Sequence, residues 1–140
     1  LADFTTYAAA LRARLIAEFT ALPLYWPNDD RTPTLEAAPN GFVYSEIEVR
    51  DEEPASLGPN GQRLHRDYGE FRIYVYVPRG SLAGTAEGYA EQIRAAFKVP
   101  DVPDVVFTRR TIGAGQASDN DVGRFWAVPV ILQFYANRTE

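Results

Sequence analysis

Phe42-Val43-Tyr44-Ser45-Glu46-Ile47-Glu48-Val49-Arg50, answered by Gly69-Glu70-Phe71-Arg72-Ile73-Tyr74-Val75-Tyr76-Val77, decides the fold. Both segments alternate apolar and polar side chains and are rich in β-branched and aromatic residues, so they read as the arms of one long β-hairpin. Between them lies Asp51 to Tyr68, centred on Gly58-Pro59-Asn60-Gly61-Gln62. A two-residue Asn60-Gly61 turn would put Val49 opposite Arg72 and Ile47 opposite Tyr74, with the apolar rows on opposite faces. A three-residue Pro59-Asn60-Gly61 loop puts Val49 opposite Phe71, Ile47 opposite Ile73 and Val43 opposite Val77. That register gathers the apolar side chains on one face, and alternation penalises the other. The turn chemistry agrees: Pro presets φ, Asn suits the second position and Gly takes the left-handed one. The hairpin therefore has an apolar base and a polar arm.

Working outward, Asp3 caps a helix running to about Thr20. Phe4, Tyr7, Ala8, Leu11, Leu15, Phe19 and Leu22 recur on one face of it. Pro23 stops it. After Leu24-Tyr25-Trp26-Pro27-Asn28 comes a polar loop to Asn40-Gly41. Beyond the hairpin, Thr85 is placed as the cap of a second helix that ends near Lys98. Its apolar face is Ala86, Tyr89, Ala90, Ile93, Ala96 and Phe97. Val105 to Ile112 reads as a third strand, Gly113 to Gly123 as a loop, and Arg124 to Ala136 as a fourth strand. Pro129 has no amide proton, so it belongs at an edge, a bulge or an unpaired side. The expectation is an α+β fold in one domain, 1–140. It has a four-stranded, mainly antiparallel sheet from two β-hairpins, two helices on one face and a projecting hairpin arm.

Composition narrows the function classes. The chain has 140 residues, no Cys and a formal charge of -5. Absence of Cys excludes a disulfide framework, a thiolate zinc site and a Cys nucleophile. Net acidity argues against tight duplex binding, which needs clustered cations. No apolar run approaches a membrane span. No signal peptide is visible, and Leu1 with no Met in the chain suggests a trimmed start.

Candidate chemistry is sparse. His65 is the only histidine; with Asp67 or a loop Ser it would be the base of a small hydrolase, but it lies on the polar arm, where water is not excluded. Asp119-Asn120-Asp121 resembles part of a calcium loop without its Gly and Glu in place, and Asn28-Asp29-Asp30 reads similarly as a solvated turn. Gly113-Ala114-Gly115 lacks the third Gly of a dinucleotide fingerprint. Trp26 or Trp126 would have to line an apolar pocket for a ligand-binding module, and large aromatics near strand ends are more often core. Asn137-Arg138-Thr139 matches a glycosylation acceptor without a secretory context.

The arm is more unusual. Asp51-Glu52-Glu53 is acidic and Arg63-Leu64-His65-Arg66 is basic. In the three-residue-loop register Pro54 faces Arg66 and Asp51 faces Gly69, so the blocks are staggered and pair within the arm or between copies. Asp51, Glu52, Glu53, Leu57, Arg63, Leu64, His65 and Arg66 are accordingly the candidate subunit interface. A long strand edge is a liability unless a partner covers it, and a closing head-to-tail contact makes a ring.

The helix followed by Leu22-Pro23-Leu24-Tyr25-Trp26-Pro27-Asn28 resembles the tail terminator-like proteins of long-tailed phages and gene transfer agents. So does Tyr68-Gly69-Glu70-Phe71-Arg72-Ile73-Tyr74-Val75-Tyr76-Val77-Pro78-Arg79-Gly80, followed by Gly84 and a helix ending Ile93-Arg94-Ala95-Ala96-Phe97. The resemblance covers roughly the first hundred residues, by motif order. It implies an α+β structural protein of the virion tail or transfer-agent particle, assembled in the host bacterial cytoplasm, with no catalytic residue, cofactor or metal. Its partners would be further copies in a hexameric ring, the tail tube protein and the head-tail connector, with no membrane. Another ring-forming head-tail joining or tail tube subunit is the nearest alternative. Trp26 and Pro27 would anchor the first helix to the sheet, and Gly69 would ease a bend at a strand start. DNA would pass through without specific binding, because an acidic lumen repels it. Asp119, Asn120 and Asp121, or the block Asp51-Glu52-Glu53, are the candidates for that lining.

Overall fold

A computed structural model describes residues 3–28, 38–57, 63–82, 84–98, 102–117 and 125–139. The chain is α+β. In order come α1 (Phe4–Glu18), β1 (Leu24–Tyr25), β2 (Phe42–Leu57), β3 (Arg63–Pro78), α2 (Gly84–Ala96), β4 (Val105–Ile112), β5 (Gln116–Ala117) and β6 (Phe125–Thr139). The strands form a six-stranded mixed sheet in the order β1-β2-β3-β6-β4, with β5 also on β6. The four strands read from the sequence are therefore its long members, and two short ones correct the count. β1 pairs parallel with β2, Leu24 beside Val43; two residues between Pro23 and Pro27 carry no periodicity to read. β5 lies on the same side of β6 as β4, because β3 occupies the other side along the whole length of β6.

Both helices cover one face. Asp3 caps α1, accepting from the Thr6 amide at 2.9 Å and the Thr6 hydroxyl at 2.8 Å, which satisfies donors the first turn leaves open. Tyr7, Ala8, Leu11 and Leu15 are buried as the spacing requires, whereas Phe4 is 39% exposed; the helix ends at Glu18, not near Thr20, and Phe19 and Leu22 are buried from the extended segment beyond it. Thr85 does not cap α2. The helix starts at Gly84 and Thr85 sits in its first turn, its amide donating to Leu82 O at 3.0 Å. Ala86, Ala90, Ile93 and Phe97 join α1 over Phe71, Ile73, Val75, Val130, Leu132 and Phe134 in one core. Each such large apolar side chain contributes about 1.5–3 kcal/mol by leaving water.

The hairpin register was half readable. At the tip Leu57 pairs with Arg63, as a three-residue loop requires; the loop residues themselves lie outside the described ones. At the base Val49 pairs with Gly69, Ile47 with Phe71 and Val43 with Val75, two residues from the expected partners. Two irregularities, between Val49 and Asp51 and between Pro54 and Ser56, leave Arg50 and Ala55 as extra residues on β2. Each shifts the register by one, so together they restore the face. Between them Pro54 opposes His65 and Asp51 opposes Tyr68, correcting the expected Arg66 and Gly69. The reason is that β3 cannot yield. Its alternation of burial is unbroken, and it pairs with β6 without a shift from Leu64–Thr139 to Pro78–Phe125. Among the described residues β2 has a partner on one side only over most of its length, and it absorbs the difference.

That same ladder corrects the arm. β6 continues past Ala136 to Thr139, so the segment Leu64–Tyr68 is flanked on both sides. Pro129 is explained too. β6 is an inner strand, but β4 leaves it after Ile112–Val130 and β5 rejoins at Gln116–Ala127. Gly113 N donates to Pro129 O at 2.9 Å, so the donor that Pro129 lacks would point into this gap, where no ladder bond is lost.

The second face of the sheet carries no described helix. Tyr44, Glu46, Glu48, Glu70, Arg72, Tyr74, Tyr76, Gln133 and Tyr135 lie on it, partly exposed. At one end Tyr25, Ala38, Phe42 and Phe125 bury one another in a smaller cluster, with Tyr76 stacked on Phe42 at 4.5 Å.

Candidate functional site

The arm is where the sequence concentrates charge, and the structure distributes that charge in a specific way. Glu53 lies opposite Arg66 on the ladder, yet the two side chains turn elsewhere. Glu53 accepts from the Tyr68 hydroxyl at 2.6 Å. Arg66 donates to Asn137 Oδ1 at 2.9 Å and lies 4.3 Å from the centre of the Tyr135 ring, a cation–π geometry. Glu52 pairs with Arg138. Asp51 is exposed and accepts from the Glu52 amide. Leu57 and Arg63 form the last described pair before the tip, and Leu64 is half-buried.

His65 and Asp67 share the helix-side face and are buried, 9% and 3% exposed. The Asp67 carboxylate ties three elements together. It accepts from the Tyr7 hydroxyl of α1 at 2.8 Å and from Arg138 Nε of β6 at 3.0 Å, and Arg138 reaches on to Glu52 of β2. A buried carboxylate is stable only when paired and hydrogen-bonded, and this one is both. Arg138 escapes the sequence reading because the fourth strand is expected to end at Ala136, whereas β6 runs on to Thr139. The usable signal was that no Gly or Pro follows Ala136 to end the strand. Tyr7 offered a second: a tyrosine on a buried stripe needs a partner for its hydroxyl.

Burial, reinforced by the Asp67 carboxylate, raises the Tyr7 phenol above its ordinary value of 10.0. A raised folded-state pKa gives stability that is complete below about pH 10 and lost as pH rises through the folded value. Tyr7→Phe should therefore cost about 1 kcal/mol at pH 7 and flatten the alkaline limb of the stability curve. Urea unfolding between pH 7 and 11 checks both effects.

On the bare face Arg72 is held among three carboxylates, Glu48 at 2.6 Å, Glu46 at 2.9 Å and Glu70 at 3.3 Å, with Arg50 closing on Glu70 at 3.0 Å. The hydrogen bond from Arg72 holds the Glu48 carboxyl below the usual range.

The remaining candidates that lie within the described residues resolve as parts of the fold. Asn28 adopts a left-handed φ of 64°, which Asn tolerates better than most residues. Trp26 packs against the main core. Trp126 is 41% exposed and borders a cleft of about 400 Å³ with Leu82, Val77 and Ala86. Gly115 lies against its indole, where a Cβ would fall 2.3 Å from Nε1, so the Gly113-Ala114-Gly115 spacing serves close packing. Asp119, Asn120, Asp121, Asp29 and Asp30 lie outside the described residues. Among the described residues no group of His, Asp or Glu could hold a metal ion, and no helix is long and apolar enough to cross a membrane.

The described residues form an α+β sheet with both helices on one face and a charged, extended hairpin. A family model described as phage tail terminator protein matches residues 6–134. The chain belongs to the phage tail terminator family, and its role is that of a structural component of the virion tail. Among the solved structures similar to this chain, one aligns over 94% of this chain and 95% of its own at 18% identity and a TM-score of 0.59. That likeness shows the shared fold. No curated protein matches the sequence.

Proposed function

We propose that this protein is the terminator itself. It caps the head-proximal end of the finished tail tube as a hexameric ring, stops tube growth and presents the docking surface for the head-tail connector. The family match over residues 6–134 carries the reading. It acts by self-assembly and not by catalysis, as one tail terminator-like domain spanning 1–140, in the tail of a phage or gene transfer agent particle put together in the host cytoplasm. DNA passes through its lumen without specific binding. Net acidity supports this, since a channel of like charge lets the duplex slide. Asp119, Asn120 and Asp121 are assigned to that lumen.

The arm contributes to the subunit contacts. Glu52, Glu53, His65 and Arg66 are largely committed within the chain or buried. That leaves Asp51 and Arg63 as the charges most available to a neighbour. The test compares the mass of the isolated protein by light scattering with its state after mixing with purified tail tubes. The expected result is a ring bound at one tube end and arrest of elongation. Polymerisation into long tubes would make the chain a tube subunit instead, and failure to associate with tubes would overturn the proposal.

A further inference from the structure

Among the described residues, β2 beyond the end of β1 and β4 at the far side of the sheet each have an unpaired edge, and their side chains are of opposite charge. β1 covers β2 only at Val43 and Tyr44. The Val43 amide points to β1, donating to Pro23 O at 2.8 Å. The parallel pairing of Tyr25 with Tyr44 takes up the Ser45 amide as well, and by alternation the backbone groups of Ile47 and Val49 point the same way, past the end of β1. Among the described residues no strand pairs with them. On the far side of the sheet, β4 likewise pairs only with β6. β2 carries Glu46, Glu48, Asp51, Glu52 and Glu53 against a single Arg50. β4 carries Arg109 and Arg110 and no acid.

Strand direction makes the two edges compatible. β2 runs opposite to β3, β3 to β6 and β6 to β4, so β2 and β4 run in opposite senses. A second copy placed beside the first in the same orientation therefore sets its β2 antiparallel to the first copy's β4. The bare faces then stay on one side and the helices on the other. β4 has eight residues, and β2 beyond Tyr44 is long enough to accept all of them. Arg109 on the bare face would lie beside the row of Glu46 and Glu48.

We infer that copies of this chain join head to tail by antiparallel pairing of the β2 edge, from Ile47 onward, with the β4 edge of the next copy. The proposal rests on the ring reading above and specifies its interface. Main-chain bonds of this kind supply affinity, and the flanking charges set register. Closure of the ring removes both exposed edges, which are otherwise a route to aggregation.

The absence of Cys makes the test direct. Chains carrying one cysteine on each strand, drawn from E46C or E48C with R109C or T111C, are oxidised after assembly alone or on tail tubes. Within one chain β2 and β4 are three strand spacings apart, roughly 14 Å, beyond the ~7 Å limit for a disulfide, so every bridge joins two copies. At least one of the four pairs should give a ladder ending at the ring's full complement, while single-cysteine chains stop at dimers. Independently, the amides of Ile47 and Val49 should exchange with deuterium at least ten times more slowly in the assembly. If rings form with no ladder and unchanged exchange, edge pairing is wrong and the ring reading stands. If no assembly forms in solution or on tubes, both fall.

Discussion

Asp67→Ala should destabilise the protein by about 3–5 kcal/mol, a large share of a typical domain's stability. Asp67 is 3% exposed and is the acceptor for both the Tyr7 hydroxyl and Arg138 Nε. Truncation leaves a buried phenol and a partly buried guanidinium facing a void, so the cost includes two unmatched polar groups as well as the lost bonds. Asp67→Asn keeps the shape and one acceptor oxygen, and should lose about half as much. Denaturant unfolding of the three chains measures this. A loss below 1 kcal/mol for Asp67→Ala would mean that the tie between α1, β3 and β6 contributes little. Because Arg138 also reaches Glu52, Arg138→Ala and Asp67→Ala should be strongly non-additive in the double variant.

Gly69→Ala should cost about 3 kcal/mol, at the upper end of what overpacking exacts. A Cβ there would lie 2.3 Å from Glu48 O and 2.9 Å from Phe134 Cζ. The first contact is with backbone and cannot be relieved by a rotamer change. Gly69 stands opposite Val49, beside the irregularity that leaves Arg50 extra. The residue is thus required in the middle of β3, and not at a strand start as the sequence suggested. Gly88→Ala is the control of opposite sign. It is an exposed position of α2 with no atom near its missing Cβ, so alanine should stabilise by up to ~1 kcal/mol. Thermal unfolding of the two variants should move in opposite directions.

The parts of this molecule legible in its sequence are those governed by periodicity. The α1 stripe from Tyr7 to Leu15, the limits of Val105–Ile112 and the common apolar face of the hairpin all follow from local spacing. What escaped depends on a neighbour distant in sequence. The two extra residues on β2 are fixed by the unbroken β3–β6 ladder, which β2 alone does not reveal. β1 exists only because Val43 lies beside it. Of the candidate site, the charged blocks were visible and their partners were not. Arg138 reaches Asp67 across 71 positions and Glu52 across 86, and no local pattern encodes that. Tail membership came from motif order around Trp26-Pro27-Asn28 and Gly69-to-Gly80, not from any reactive group.

The position of β6 between β3 and β4 bears on how the chain is made. β6 is the last described strand to leave the ribosome, yet it must enter the interior of the sheet. Until it arrives, the β2–β3 hairpin can form, but the sheet side of Phe71, Ile73 and Val75 lacks Val128, Val130 and Leu132. Folding therefore waits on a contact of long sequence separation, which slows it and prolongs the life of a sticky intermediate. Newly made subunits should depend on chaperones more than their small size would suggest.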